Sequence, residues 1–284
     1  MLGDLHRKLE PVGRIEILDA VGDKAMEYFS AVPEHQLTDD ELLRRATALH
    51  QIGSVRITQG RLADATAPLQ QSLSLAGELA ARAPDDPGRL FELGQSRFWV
   101  GFVHWRRRDL DEALRQFLQY VRLSERLVAI DPANPDWQLE LSSANSNIGS
   151  VLRDRGDLQP ALERFAQCVR IERALLEGRP AHASLRRALA SSHNHMGVVL
   201  RTLGRLDEAL SHHREELALQ EELLRADPRN TNWQMYLAVA HNYVGVIRDA
   251  QGGDRRRARA VRTSKSGIST PTSSPSSGAI PEHR

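Results

Sequence analysis

Apolar, small and polar residues recur along this chain with a fixed step. Glycines stand at Gly53, Gly101, Gly149, Gly197 and Gly245, each 48 residues after the last. One position before them lie Ile52, Val100, Ile148, Met196 and Val244, and two positions after them Val55, Val103, Val151, Val199 and Ile247. Five positions before them every residue is small: Ala48, Ser96, Ala144, Ser192 and Ala240. Eight positions before them lie Arg45, Leu93, Leu141, Leu189 and Leu237. Intervals of three and four put these columns on one stripe of an α-helix, small where a neighbouring helix must come close. The stripe ends at Gly60, Gly156 and Gly204, with Arg108 in the same column, a place suited to a left-handed helix terminus. A second stripe follows. It carries Leu62, Leu110, Leu158 and Leu206, then Ala65, Ala113, Ala161 and Ala209, and later Leu79, Leu127, Leu175 and Leu223. Pro84, Pro132, Pro180 and Pro228 stop each period.

The pattern predicts an array over 37–252, with units 37–84, 85–132, 133–180 and 181–228 and a partial unit 229–252. Each complete unit reads as two antiparallel amphipathic helices of about 20 residues. In the third unit they are expected near 136–154 and 158–178. Residues 1–36 read as an N-terminal helical cap or a degenerate repeat. Leu2, Leu5 and Leu9 already stand at helical spacing, and a helix over 14–31 has Ile15, Leu18, Val21, Ala25, Tyr28 and Phe29 near one face. The fifth unit keeps register to Gly252, but Asp254 and Arg257 then occupy the Leu and Ala columns. The uncovered first helix is expected to expose Tyr236, Leu237 or Val244 and so to invite self-association. Residues 253–284 read as a disordered basic tail rich in Ser and Pro. A frameshift near codon 253, converting an alanine-rich helix into Arg255-Arg256-Arg257, would account for the break.

The phrases Gly204-Arg205-Leu206-Asp207-Glu208-Ala209-Leu210 and Asp109-Leu110-Asp111-Glu112-Ala113-Leu114 resemble the inter-helix signature of tetratricopeptide repeats. The first-helix glycine, the second-helix alanine and the closing Asp131-Pro132 and Asp227-Pro228 fit the same family. The departure is length, 48 residues against the usual 34 or so. Long units of this kind resemble those of large bacterial signalling proteins. The resemblance implies an all-α, right-handed superhelical solenoid of antiparallel helix pairs whose first helices line a concave groove. HEAT and armadillo arrays have similar periods but lack the Gly-x-Leu-x-x-Ala-Leu turn.

Composition narrows the function. Thirty-eight basic residues nearly balance 37 acidic ones, and the tail's seven Lys or Arg against two acids leave the array at −4, which disfavours nucleic acid. No apolar run approaches a membrane span, and the single cysteine, Cys168, suits a reducing, cytoplasmic setting. Phosphate-binding, dinucleotide-binding and nucleophile-elbow motifs are absent, so no catalytic residue and no cofactor are assigned. His193 and His195 diverge on a helix, as do His212 and His213, and all four read as surface or groove histidines, not as metal ligands. Cys168 reads as a small buried residue, and the pairs Glu215-Glu216 and Glu221-Glu222 as solvated faces.

What varies from unit to unit is the first-helix face opposite the apolar stripe. It carries His50 and Gln51; Phe98, Trp99, Phe102, Trp105 and Arg106; Asn147 and Arg153; Asn194, His195 and Arg201; and Asn242 and Tyr243. Solenoid grooves bind extended or helical peptides. The aromatic row is expected to be largely exposed and to anchor a partner, with Arg106, Arg153 and Arg201 favouring an acidic peptide. The leading expectation is a non-enzymatic protein- or peptide-binding scaffold. The alternative is a regulatory fragment of a larger bacterial signalling protein whose catalytic or effector domain lies outside this chain.

Overall fold

The computed structural model of the chain describes residues 15–266. Ten α-helices follow one another among the described residues, with no strand. They are α1 (Ile15–Ala31), α2 (Asp39–Thr58), α3 (Leu62–Arg82), α4 (Pro87–Arg106), α5 (Leu110–Ile130), α6 (Pro135–Arg155), α7 (Leu158–Gly178), α8 (Ala183–Thr202), α9 (Leu206–Ala226) and α10 (Thr231–Ser266). A 3₁₀ turn at Glu34–Gln36 joins α1 to α2. The starts of α2, α4, α6, α8 and α10 are spaced by 48 residues, as are those of α3, α5, α7 and α9. Each helix packs on the next, and α2 also meets α4, giving a solenoid of antiparallel helix pairs.

Local sequence accounts for the ends of these helices. Thr38 and Glu41 form a reciprocal capping box at α2, while Asp86 and Asn134 cap α4 and α6 ahead of a first-turn proline. Between the two helices of each pair the chain reverses through a left-handed residue: Gly60 (φ 78°), Gly156 (φ 93°), Gly204 (φ 74°) and Arg108 (φ 65°). The amide after each of these bonds back into the preceding helix, as in Asp109 N to His104 O at 3.0 Å and Asp157 N to Leu152 O at 2.9 Å.

The glycine column explains how the two helices of a pair come together. A Cβ on Gly53, Gly101, Gly149 or Gly197 would stand 2.4, 2.7, 2.7 or 2.5 Å from the side chains of Leu69, Phe117, Phe165 and His213 respectively. One bulky residue of each second helix therefore lies directly on the bare backbone of its partner. Ala65, Ala113, Ala161 and Ala209 are fully buried beside these contacts. Clusters then bridge from unit to unit, as where Phe117 and Val121 of α5 pack on Ala144, Ile148 and Val151 of α6. The one polar member of the apolar column, Arg45, is buried too. Its guanidinium donates to Phe29 O at 2.7 Å and Val32 O at 3.0 Å and lies over the Phe29 ring, fastening α1 to α2.

Several readings change. On α1, Met26 and Phe29 pack on α2, whereas Val21 and Tyr28, expected on the same buried face, are exposed. On α10, Tyr236 is exposed as expected, but Val244 is buried with Ile247 in a core cluster shared with residues of α7, α8 and α9. The turn glycine Gly252 does not break α10, which continues to Ser266, past the position where the sequence placed the start of the tail. Leu2, Leu5 and Leu9 and the residues after Ser266 lie outside the described residues.

Candidate peptide-binding face

The variable first-helix positions come together on the seams between successive first helices. At the first seam His50 is buried, its Nδ1 2.8 Å from Glu92 Oε1, while Thr47 donates to Glu92 Oε2 at 2.8 Å. His50 thus joins α2 to α4, and Gln51 beside it is half-buried. At the second seam Gln95 and Tyr120 both donate to Glu140, the phenol at 2.5 Å. Burial pushes the Glu140 carboxyl above its ordinary range, against the lowering effect of those two bonds.

The aromatic row is knitted into the array and not largely exposed. Phe98 stacks near Phe117 and Tyr120 of α5, with centroids 6.2 and 6.0 Å away, and touches Trp99 and Phe102 on its own helix. Trp99 and Phe102 also pack against the core of α3 and α4. Trp105 donates its indole N–H to Asp154 of α6 at 2.9 Å. All four rings are half-buried, because unit two fills with aromatic carbon the space that smaller polar pairs fill elsewhere. Burial pushes the Asp154 carboxyl up. Hydrogen bonds from Trp105 and Arg153, with the charges of Arg153 and Arg108, outweigh it and leave the carboxyl below its usual value. Arg153 is therefore compensated, with Nη2 3.0 Å from Asp154, while Arg106 and Arg201 are exposed.

Toward α10 the face is more polar. Asn147 turns back to Ser143 O of its own helix at 2.9 Å. His195 stacks on Phe165 at 4.8 Å, and burial, with Arg153 nearby, lowers it to about 4. His193 points elsewhere, meeting His212 at 3.0 Å between Nδ1 atoms, and burial with His212 and Arg173 lowers it to about 4. Asn194 donates to both oxygens of Glu216 at 3.0 and 3.1 Å. His213, read from sequence as a surface or groove histidine, and Glu216, read as part of a solvated face, are buried: His213 Nδ1 lies 2.8 Å from Glu216 Oε2, and its ring stacks on Tyr243 at 4.6 Å. His213 stands in the column of Phe117 and Phe165, and that column was the signal for its burial. Asn242 is exposed.

A cavity of about 260 Å³ opens between α8, α9 and α10. Asn194 and Tyr243 line it, together with Arg187, Glu216, Gln220 and Tyr236, which the sequence reading did not place there. Arg187 and Tyr236 lie about two turns earlier along their helices than the positions chosen from sequence. Among the described residues no three His, Cys, Asp or Glu side chains converge as a metal site, and no helix is long and apolar enough to cross a membrane. Cys168 is fully buried, its thiol directed at Ser142 O, and burial pushes it up to about 12.

Stacked helix pairs with these seams define a helical-repeat protein. The tetratricopeptide repeat family model matches residues 189–229, from within α8 through α9. Among solved structures, BtubC (BKLC) from P. vanneervenii aligns over 95% of this chain and 99% of its own, with a TM-score of 0.59 and 15% identity. A putative kinesin light chain of Podosopora anserina with TPR-like repeats aligns over 78% of this chain and 98% of its own, with a TM-score of 0.48 and 21% identity. No curated protein matches the sequence. The chain carries a tetratricopeptide repeat over 189–229 within a solenoid of tetratricopeptide type, a fold typical of protein-interaction scaffolds.

Proposed function

We propose that the chain is a non-enzymatic cytoplasmic scaffold that binds a protein or peptide segment on its first-helix face. The cavity between α8, α9 and α10 carries this reading. It joins two rings, Tyr236 and Tyr243, to the exposed guanidinium of Arg187 and the side chain of Asn194. A space of about 260 Å³ admits one or two side chains of a peptide laid across the first helices. Exposed Arg187, Arg201 and Arg106 favour an acidic segment, since arginine binds carboxylates through paired hydrogen bonds. The half-buried aromatic row supports the wall of the face instead of serving as a free anchor. A second copy is the other partner we propose, through the exposed side of α10.

Binding to a fluorescent peptide library, sorted by net charge, tests this function. Acidic peptides are expected to bind, and Arg187→Ala with Tyr236→Ala is expected to weaken them by about 2 kcal/mol, as at interface anchors. The melting temperature is expected to stay near that of the parent, because both side chains are exposed. Binding unchanged by this pair of substitutions, or equal for acidic and basic peptides, would remove the cavity from the site.

A further inference from the structure

The repeat shows what the cavity between α8, α9 and α10 lacks. At the second seam Gln95 of α4 and Tyr120 of α5 both donate to Glu140 of α6 and tie the three helices together. Two units on, the same columns carry Ser191 on α8, Glu216 on α9 and Tyr236 on α10. The acid and the phenol have changed sides, and serine has replaced the longer glutamine. Tyr236 is exposed, and Glu216 is bonded to Asn194 and His213 instead. The three residues whose counterparts tie the second seam here line an open space.

A second column has lost its partners at the same place. Glu172 of α7 takes hydrogen bonds from Ser142 of α6 and Ser192 of α8. Its counterpart on α9 is Gln220, and the two serine columns there hold Ala190 and Ala240. Gln220 is only 4% exposed, and its Oε1 has no hydrogen-bond partner among the described residues. A buried polar atom left in this way is costly. Gln220 stands one helical turn after Glu216, and both line the cavity. Glu216 is as deeply enclosed, and among the described residues no Lys or Arg pairs with it.

We propose that the cavity receives the side chain of a partner's lysine, whose ammonium supplies the donors that Glu216 and Gln220 lack. This rests on the peptide-binding reading above and names the residue that the cavity selects. A buried carboxylate without a basic partner calls for a cation. The three N–H groups of an ammonium serve Glu216, the Ser191 hydroxyl and the Gln220 carbonyl, which turns toward them about the last bond of its side chain. A guanidinium suits the site less well. Asn194 already holds both oxygens of Glu216, leaving no free edge for a paired fork, whereas an ammonium binds as a point charge. Met235 and Val239 line the same cavity and cover the apolar stem of the lysine. Exposed Arg187 then meets an acidic residue next to it, so the partner is an acidic segment that carries one lysine.

Fluorescent acidic peptides that differ only at a central residue test this, with lysine, arginine, norleucine or acetyl-lysine at that place. Norleucine keeps the stem of lysine without its ammonium. The lysine peptide is expected to bind the full chain about tenfold tighter than the other three, the scale of one hydrogen bond to a charged group. Glu216→Gln is expected to abolish that difference and leave norleucine binding unchanged, since the new amide oxygen still accepts a hydrogen bond. Equal binding of the lysine and norleucine peptides would overturn the ammonium site and leave peptide binding standing. Arginine bound as tightly as lysine would overturn the choice of residue. Binding of none of the four would overturn both readings. A lysine preference that survives in Glu216→Gln would overturn the role of that carboxylate. Gln220→Leu keeps the bulk of a side chain that has no partner for its oxygen, so its melting temperature is expected to match the parent. It is expected to weaken the lysine peptide about threefold or more and not the norleucine peptide, and undiminished lysine binding would count against the site.

Discussion

Gly149 and Phe165 show how one missing methyl group sets the distance between two helices. The Phe165 ring lies 2.7 Å from where a Gly149 Cβ would stand, so α6 and α7 meet closer than two side chains allow. Gly149→Ala gains about 1 kcal/mol of helix propensity but forces the ring off its seat. Overpacking of this kind costs about 1–3 kcal/mol, so a net fall in melting temperature is expected. The turn column carries the opposite lesson. Arg108 holds φ 65° where the other units have glycine, and its side chain adds only an ion pair to Asp154 at the surface. Left-handed backbone costs a non-glycine residue about 1–2 kcal/mol and an exposed pair returns about 0–1 kcal/mol. Arg108→Gly is therefore expected to raise the melting temperature. The buried histidines set a pH limit. His193 and His195 are lowered to about 4, so between the ordinary histidine value of 6.5 and 4 the unfolded chain binds protons that the folded chain refuses. Stability is then expected to fall as pH drops through that window. Glu140 and Glu172, raised by burial, act in the opposite sense just above the ordinary carboxylate range. Thermal melts between pH 7 and 4 isolate the histidines: His193→Asn with His195→Phe should flatten the acid limb, and an unchanged limb would place its origin elsewhere.

Among the elements, α4 departs most from its sequence reading. Its apolar stripe and glycine follow from the repeat columns, as do the bounds expected for the third unit, where Pro135–Arg155 and Leu158–Gly178 are found, because those columns are set by contacts that each unit makes in the same way. The aromatic row is not set that way. Phe98, Trp99, Phe102 and Trp105 lie opposite the stripe, and helical periodicity places them there without saying what lies across the seam. In the structure the neighbouring units come up to that side, and Asp154 of α6 reaches back to the Trp105 indole. The same limit hid Glu216 and His213, which look solvated until the column of Phe117 and Phe165 and the side chain of Asn194 enclose them. Trp105→Ala is therefore expected to cost about 2–3 kcal/mol, short of the 3–5 kcal/mol of a fully buried ring. Trp105→Phe keeps the packing and frees Asp154 of one hydrogen bond, at a cost of about 1 kcal/mol. A melt of Trp105→Ala equal to the parent would return the row to the exposed groove.

Across the whole molecule, contacts run almost entirely between neighbouring helices, so stability is local and adds up along the stack. α10 illustrates the consequence. Val244 and Ile247 are buried in one cluster with Phe165, Val199, Leu200 and Leu210, and Gln251 donates to Asp207 of α9 at 2.7 Å. These contacts hold the last complete unit closed, although α10 itself presents an apolar side to solvent. Ile247→Ala removes a fully buried side chain and is expected to cost about 2–5 kcal/mol. In a globular domain that loss would be shared by every residue. Here amide hydrogen exchange should accelerate in α8, α9 and α10, while α2 to α5 keep the protection of the parent, because among the described residues α6 and α7 lie between the two regions and carry the principal contacts. Equal acceleration at Leu49 in α2 and Leu223 in α9 would mean that the array unfolds as one cooperative body and that nearest-neighbour packing is not the whole of its energetics.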